Sequence, residues 1–118
     1  GDYREAGTIQ KAYDLNIPML AVKGGEGSLP TEYSLFTVDC DNVIFETAKK
    51  AEDDDTIILR GCEYYNKRAN AKVSFGFDIK KAYLCDMLEN SVEELNVTDN
   101  TVTVNFKPYE IITLKIEK

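Results

Sequence analysis

The sequence predicts an all-β protein, an antiparallel β-sandwich of about eight short strands. Apolar and polar residues alternate over several short runs, and turn-forming residues separate these runs at intervals of roughly 8–12 residues. No convincing helix lies between the runs. We expect residues 15–118 to form this single sandwich domain, and residues 1–14 to be an N-terminal arm inherited from the preceding part of a longer chain.

Composition and charge argue against several classes of function. The chain carries 21 acidic and 14 basic residues, a net charge of −7, so a phosphate backbone would repel it and we expect no nucleic-acid partner. No apolar run approaches the length of a membrane span, so we expect no membrane partner. The chain has no histidine, which removes the commonest general base and metal ligand.

The first part of the chain contains weak elements. Residues 2–13 could form a helical turn or two, but Gly7 weakens that helix. Residues 19–22 are apolar, follow a proline and are predicted to form a short strand. Residues 24–30 contain three glycines and are a loop by composition. Residues 32–38 are predicted as the next strand.

Residues 49–66 organise the rest of the chain, and together with the apolar residues 43–45 ahead of them they are predicted to form a β-hairpin. β-branched and aromatic residues flank three consecutive aspartates, 53–55, and aspartates favour turns because their side chains bond nearby backbone N–H groups. Residues 57–59 are apolar on both faces, which is typical of a central strand covered on two sides. A solvated turn is favoured over a calcium or magnesium site, because adjacent side chains in a turn point in different directions.

Five further strands complete the predicted sandwich. The alternating pattern places them over residues 72–78, 81–89, 92–98, 101–107 and 109–116. Asp99 and Asn100 form a two-residue hairpin signal between the third and fourth of these strands. Pro108 lacks a backbone N–H group and marks a break before the last strand.

Arg60 and Glu63 are the charged residues that the pattern places in a largely buried strand, where a charge requires a partner. Strict alternation puts them on opposite faces, so they pair directly only if a bulge lies near Gly61, or else through neighbouring strands. We expect the Arg60 guanidinium to form a buried ion pair. Among the three acids of its surroundings, Glu52, Glu63 and Glu110, we favour the last two.

The remaining polar residues indicate no catalytic or metal site in this chain. A retaining glycosidase needs two carboxyl groups roughly 5 Å apart, and Asp86 with Glu89 or Glu93 with Glu94 are the pairs to consider. Glu93 and Glu94 point to opposite faces of a strand, and acids are common simply because the chain is acidic, so neither pair is favoured as catalytic. Tyr64 and Tyr65 are the aromatics placed for display, and are candidates for sugar or domain contact. The three cysteines are widely spaced in apolar stretches, so we expect buried free thiols and a reducing compartment such as the cytoplasm: Cys40, Cys62 and Cys85.

Several short motifs recur in one order along the chain. Residues 49–52 (KKAE) are followed by an acidic gap, residues 57–60 (IILR) and Glu63, and residues 107–116 (KPYEIITLKI) close the chain. Two shorter elements are residues 86–89 (DMLE) and 15–18 (LNIP). Together these motifs resemble the C-terminal β-domain of the α-mannosidases of glycoside hydrolase family 38, with residues 107–116 similar to the closing motif of that domain. We take the following as structural motif residues: Lys50, Glu52, Arg60, Glu63, Pro108 and Glu110. The Gly61-Cys62 pair departs from the family pattern of a leucine followed by an aromatic.

The resemblance implies a parent enzyme that hydrolyses terminal α-linked mannose with retention of configuration. The zinc ion and aspartate nucleophile of that family belong to a preceding catalytic domain, and none of their ligands maps onto this histidine-free chain. We therefore expect a non-catalytic domain, without cofactor, that packs on the remaining domains of the parent α-mannosidase. The alternative is a free-standing carbohydrate-binding module that binds mannosides.

Overall fold

A computed structural model describes residues 1–28 and 30–118. The described part of the chain divides into two compact units, Gly1–Thr31 and Glu32–Lys118. One residue of the predicted loop 24–30, Leu29, lies outside the described residues.

The first unit contains the helix α1 (Thr8–Asn16), which begins directly after Gly7. Gly7 has a φ of 61°, a left-handed conformation that glycine adopts without a steric penalty. No residue of α1 is buried. The predicted strand at 19–22 is wrong: these residues form no regular element. A strand requires a neighbour to satisfy its backbone groups, and no strand in the described part of the chain pairs with this segment.

The second unit contains the strands, which form two antiparallel sheets and confirm the predicted all-β sandwich. The strands are β1 (Phe36–Val38), β2 (Val43–Lys50), β3 (Ile57–Glu63), β4 (Ala69–Phe75), β5 (Lys81–Cys85), β6 (Ser91–Leu95), β7 (Val97–Thr98), β8 (Thr101–Phe106) and β9 (Ile111–Glu117). One sheet has the order β1-β4-β8-β7, and the other has the order β2-β3-β9-β5-β6.

The core is built by alternate residues of the two sheets. Leu59 and Leu114 of the five-stranded sheet belong to the same buried cluster as Val73 and Val104 of the four-stranded sheet. Their neighbours along each strand point to the opposite, outer face, as the two-residue period of a β-strand requires. Ile58 is also fully buried although it lies outside this cluster, so β3 is covered on both faces at this position.

The central hairpin pairs β2 with β3 and contains a β-bulge. Phe45 pairs with Gly61 and Thr47 pairs with Arg60, so Glu46 is an extra residue in β2. The bulge therefore lies on the strand opposite Gly61 and does not bring Arg60 and Glu63 onto one face.

The turn at Asp99 and Asn100 joins β7 to β8 as predicted. Both residues have positive φ, 50° and 56°, which matches the type I′ turn of two-residue hairpins. The predicted strand over 92–98 is two strands instead, because the chain leaves the five-stranded sheet after Leu95 and joins the four-stranded sheet at Val97. Among the described residues, no helix is long and apolar enough to cross a membrane.

Candidate functional site

The motif residues gather at two junctions of the five-stranded sheet. At the first, which we call the Glu63 junction, the end of β3 meets the turn that precedes β9. At the second, which we call the outer-face junction, the hairpin loop between β2 and β3 meets the turn at residues 86–90. Each junction joins segments that are distant in sequence.

The Glu63 junction is centred on a carboxylate that is 0% exposed. Its Oε1 accepts hydrogen bonds from Asn42 Nδ2 at 2.9 Å and from the Tyr65 N–H at 2.8 Å. Its Oε2 accepts a bond from the Tyr109 N–H at 3.0 Å. Burial alone would raise the pKa of Glu63, but these bonds and one from the Lys67 N–H together lower it. The carboxylate therefore stays ionised without a cation, because surrounding N–H groups stabilise its charge.

The turn before β9 depends on this carboxylate. Tyr109 has a φ of 57°, which is unfavourable for a tyrosine, and its N–H donates to Glu63. The Glu110 Oε2 accepts a hydrogen bond of 2.7 Å from the Lys107 N–H, and its carbonyl accepts one from the Glu63 N–H. Pro108 lies between the two bonded residues of this turn. Glu63 and Glu110 thus connect the two longest family motifs through backbone hydrogen bonds, and neither pairs with Arg60.

The expected ion pair of Arg60 is therefore wrong. Arg60 is half-buried on the outer face, where its Nε donates to Thr113 Oγ1 at 3.2 Å and its Nη2 to the Met87 carbonyl at 3.4 Å. Within the described residues, no carboxylate lies within ion-pairing distance of its guanidinium. Alternation puts Glu63 on the inner face, so the strand geometry separates the two charges.

The outer-face junction is held by Lys49 and Glu89. Their side chains form an ion pair of 2.8 Å, and Lys49 also pairs with Glu52. The Glu52 N–H donates to the second oxygen of Glu89 at 3.1 Å. Hydrogen bonds from Lys49 and then from the Glu52 N–H lower the pKa of the Glu89 carboxyl. This structural role of Lys49 and Glu89 was not predicted from the sequence, although both lie within the motifs at residues 49–52 and 86–89.

The aspartates of the hairpin turn make ion pairs within the same sheet. Asp54 pairs with Lys115 of β9 at 2.6 Å, and Asp55 pairs with Lys50 at 2.6 Å. The Lys115 ammonium, with two hydrogen bonds from Thr56, lowers the pKa of Asp54 to about 2. Across the described residues, no group of three or more histidine, cysteine, aspartate or glutamate side chains is arranged to hold a metal ion. The described residues therefore do not fit a zinc site.

Tyr64 and Tyr65, which the sequence predicted to be exposed for sugar or domain contact, are not fully exposed. Tyr65 is only 5% exposed, so it belongs to the interior, and its N–H donates to Glu63. Tyr64 is half-buried, and its hydroxyl donates to Glu46 at the β-bulge. Both tyrosines follow the last residue of β3. The alternation of residues in the sequence does not show whether side chains beyond the end of a strand are still covered by the sandwich. An exposed aromatic platform for a sugar is not formed by this pair.

The cysteines are half-buried, whereas the sequence predicted buried thiols. All three are free thiols, and burial is the main cause that raises the pKa of each. Cys40 packs against the core, and Cys62 and Cys85 lie on the outer face of the five-stranded sheet. Raised pKa values keep these thiols protonated at neutral pH, so they are poor nucleophiles.

A polar groove on the outer face of the four-stranded sheet was not predicted. It has a volume of about 740 Å³, and its lining includes Lys72, Ser74, Thr103 and Asn105 of β4 and β8 together with Glu93 and Glu94 of β6. Some of its polar groups already have partners: Ser74 bonds Thr101 within the groove at 2.9 Å, and Asn105 accepts a bond of 2.6 Å from Asn70 beside it. Each residue is an ordinary solvent-facing strand position, so alternation predicts its exposure but not the concave shape.

Comparison with known proteins assigns the motifs to one family. The family described as glycosyl hydrolases family 38 C-terminal beta sandwich domain matches residues 42–114. Two curated relatives, Alpha-mannosidase 2C1 of Homo sapiens and Alpha-mannosidase 2C1 of Mus musculus, are 31% and 32% identical over alignments that cover 97% of this chain. The chain spans 11% and 12% of the length of these relatives. Both junctions contain residues of the matched region.

Proposed function

Because the chain belongs to the family of glycosyl hydrolase family 38 C-terminal β-sandwich domains, we propose that it is the non-catalytic C-terminal domain of an α-mannosidase. In this proposal the parent enzyme hydrolyses terminal α-linked mannose with retention of configuration. The domain packs against the remaining domains of that enzyme and supports their folded structure.

The observation that carries this proposal is that the carboxylates of Glu63 and Glu89, which lie in the motifs, are bonded within the domain. A catalytic carboxylate must present a free oxygen to substrate. Both Glu63 oxygens instead accept hydrogen bonds from within the domain, and both Glu89 oxygens bond residues of the hairpin. The charged groups of the motifs therefore join distant segments of the chain, which is a structural role.

The proposal also places zinc and the nucleophile elsewhere in the parent enzyme. The chain contains no histidine, and the carboxylates of its described residues do not group as metal ligands. We propose that zinc binds the part of the parent that precedes this domain, and no step of the reaction is assigned to residues of this chain.

We propose a cytoplasmic location for the parent enzyme. Support comes from the three free thiols, since disulfides form and persist mainly in oxidising compartments. Fractionation of cells that express the tagged full-length parent tests this, and recovery with the secretory compartments would contradict it.

The test compares the full-length parent enzyme, the parent truncated before this region, and the 118-residue chain alone. We expect the truncated parent to unfold at a lower temperature and to lose activity on an aryl α-mannoside as folded protein is lost. The 118-residue chain should give no turnover, with or without zinc. A truncated parent whose midpoint stays within about 1 °C would refute the supporting role. Turnover by the chain alone that is lost in one of its carboxylate variants would refute the non-catalytic role.

The polar groove on the four-stranded sheet favours a second candidate function, a carbohydrate-binding module. Hydroxyl, amide and charged side chains line it, and these groups suit the hydroxyls of a mannoside. The absence of tryptophan from the sequence and the burial of Tyr65 count against this function. Calorimetric titration of the chain with mannose oligosaccharides separates the two candidates, because heat that disappears in Thr103→Lys would establish binding at this groove.

A further inference from the structure

We propose that the turn at residues 86–90, together with an apolar row beside it on the outer face of the five-stranded sheet, is the surface that docks this domain onto the preceding part of the parent enzyme. We call this surface the docking face, and the inference rests on the function proposed above. Three observations support this inference: the hydrogen bonds within the turn, the bonds that attach the turn to the sheet, and the exposure of the apolar side chains on the docking face.

The turn is built around Asp86, whose carboxylate accepts hydrogen bonds from other residues of the turn. Its Oδ1 accepts hydrogen bonds from the Leu88 N–H at 2.8 Å and the Asn90 N–H at 3.0 Å. Its Oδ2 accepts a bond from Asn90 Nδ2 at 2.9 Å. The Glu89 N–H closes the turn by donating to the Asp86 carbonyl at 3.1 Å. Both side-chain oxygens of Asp86 are therefore used to hold the backbone of this turn in one conformation.

Three bonds fasten the turn to the outer face of the sheet. Arg60 donates to the Met87 carbonyl, and Glu89 binds both the Lys49 ammonium and the Glu52 N–H. Glu89 itself has a φ of 68°, an unfavourable conformation for this residue type that these bonds stabilise. Three charged side chains, those of Arg60, Lys49 and Glu89, therefore hold this short turn against the sheet.

The side chains at the tip of this fixed turn are apolar and point into solvent. Met87 is 59% exposed and Leu88 is 81% exposed. A row of apolar side chains lies beside them on the same outer face, because Ile44 pairs with Cys62 and Cys62 pairs with Ile111 across β2, β3 and β9. Ile111 is more than half exposed. Covering these apolar side chains with a partner is favourable, because it removes apolar surface from water. The hydrogen bonds already hold the turn in place, so little conformational entropy is lost when the partner binds.

The occupant we infer is the parent's own preceding chain. The relatives are about nine times as long as this chain. A parent enzyme of similar length would therefore have most of its residues outside this chain, where they could cover the docking face. The family is defined as a C-terminal domain, which places that remainder before it in sequence. A tethered partner meets the docking face at a high effective concentration, so a modest apolar contact is sufficient.

Thiol footprinting tests the docking face. Leu88→Cys is introduced into the full-length parent and into the 118-residue chain, and the rate of maleimide labelling at position 88 is measured by mass spectrometry of the peptide. Thr103→Cys, an exposed position on the outer face of the four-stranded sheet, is the matched control. We expect labelling at position 88 to be at least about tenfold slower in the full-length parent than in the isolated chain, and labelling at position 103 to change less than about twofold.

The outcomes separate this inference from the proposed function. Equal rates at position 88 in the two proteins overturn the docking face. If position 103 alone is protected, the domain docks through the opposite sheet, so this inference fails while the supporting role stands. Protection of position 88 that rises with the concentration of the isolated chain assigns the face to a second copy and also overturns the inference.

Discussion

Replacement of Glu63 by glutamine should destabilise the domain strongly while leaving its shape nearly unchanged. Glu63→Gln retains one acceptor oxygen but replaces the other with an NH₂ group. If the remaining oxygen keeps its bonds to Asn42 and the Tyr65 N–H, the new amide faces the Tyr109 N–H, and two donors then meet at the buried Glu63 side chain. The variant therefore removes a charge and leaves the part-buried Tyr109 N–H without its acceptor.

The expected loss follows from these two changes. An unsatisfied buried N–H costs about 1–3 kcal/mol, and the two retained bonds weaken because they lose their charged acceptor. We expect a total loss of about 2–4 kcal/mol in the free energy of unfolding, a large share of the ~5–15 kcal/mol that stabilises a typical domain. The Tyr109 backbone, with its φ of 57°, should also relax toward a more favourable conformation.

Urea unfolding of the 118-residue chain measures this loss, with Glu94→Gln as the control. Glu94 is an exposed acid on β6, so its replacement removes the same charge and should change stability by less than about 0.5 kcal/mol. A loss under about 1 kcal/mol for Glu63→Gln would refute the reasoning. It would show that neither the negative charge of Glu63 nor its second acceptor oxygen is needed for stability.

The pH dependence of stability gives a second test of the same residue. The folded pKa of Glu63 lies below its ordinary value of 4.5, so its stabilisation is fully present above that value. The contribution is lost as the pH falls through the folded pKa, where the native carboxylate takes up a proton. Unfolding free energies measured below pH 4.5 should therefore fall less steeply with decreasing pH in Glu63→Gln than in the unsubstituted chain.

Three further predictions concern the same sheet. Gly61→Ala should cost about 1–3 kcal/mol in urea unfolding, because its Cβ would lie 2.8 Å from the Phe45 ring, whereas Gly25→Ala, which meets nothing within 4 Å, should be neutral. Arg60→Met should cost about 1–2 kcal/mol, for two hydrogen bonds on a half-buried guanidinium, and a loss above about 3 kcal/mol would point to an ion pair. Titration by NMR should place the pKa of Asp54 at about 2, and removal of its partner in Lys115→Ala should raise that pKa toward 3.8; an unchanged midpoint would show that the pair does not form in solution.

The sequence determined the elements whose signals are local. Three consecutive aspartates between β-branched runs predicted the hairpin of β2 and β3, and the structure forms it. The Asp99-Asn100 pair predicted its turn because these residue types tolerate positive φ. Alternation along β8 predicted which side chains face the core, since successive residues of a strand point to opposite faces. In each case the physical cause acts between residues that are close in sequence.

The tertiary structure decided the partners of the charges. Glu63 is satisfied by a backbone N–H 46 positions away at Tyr109, and Arg60 bonds the carbonyl of Met87, 27 positions away. Backbone groups are present at every residue, so no side-chain pattern marks the ones that will bond a buried charge. The sequence identified both residues as requiring partners, but their partners depend on the order of strands in the sheet.

The same limit explains the misplaced surface residues. Tyr65 is buried and Leu88 is exposed, although a tyrosine beside a loop and a leucine within an apolar run suggest the reverse. The predicted strand at 19–22 failed because an apolar segment becomes a strand only when a neighbour satisfies its backbone. Local propensity thus determined which segments are suited to a sheet. Exposure and pairing were decided by the assembled sandwich, because burial and hydrogen bonding depend on segments brought together from distant parts of the chain.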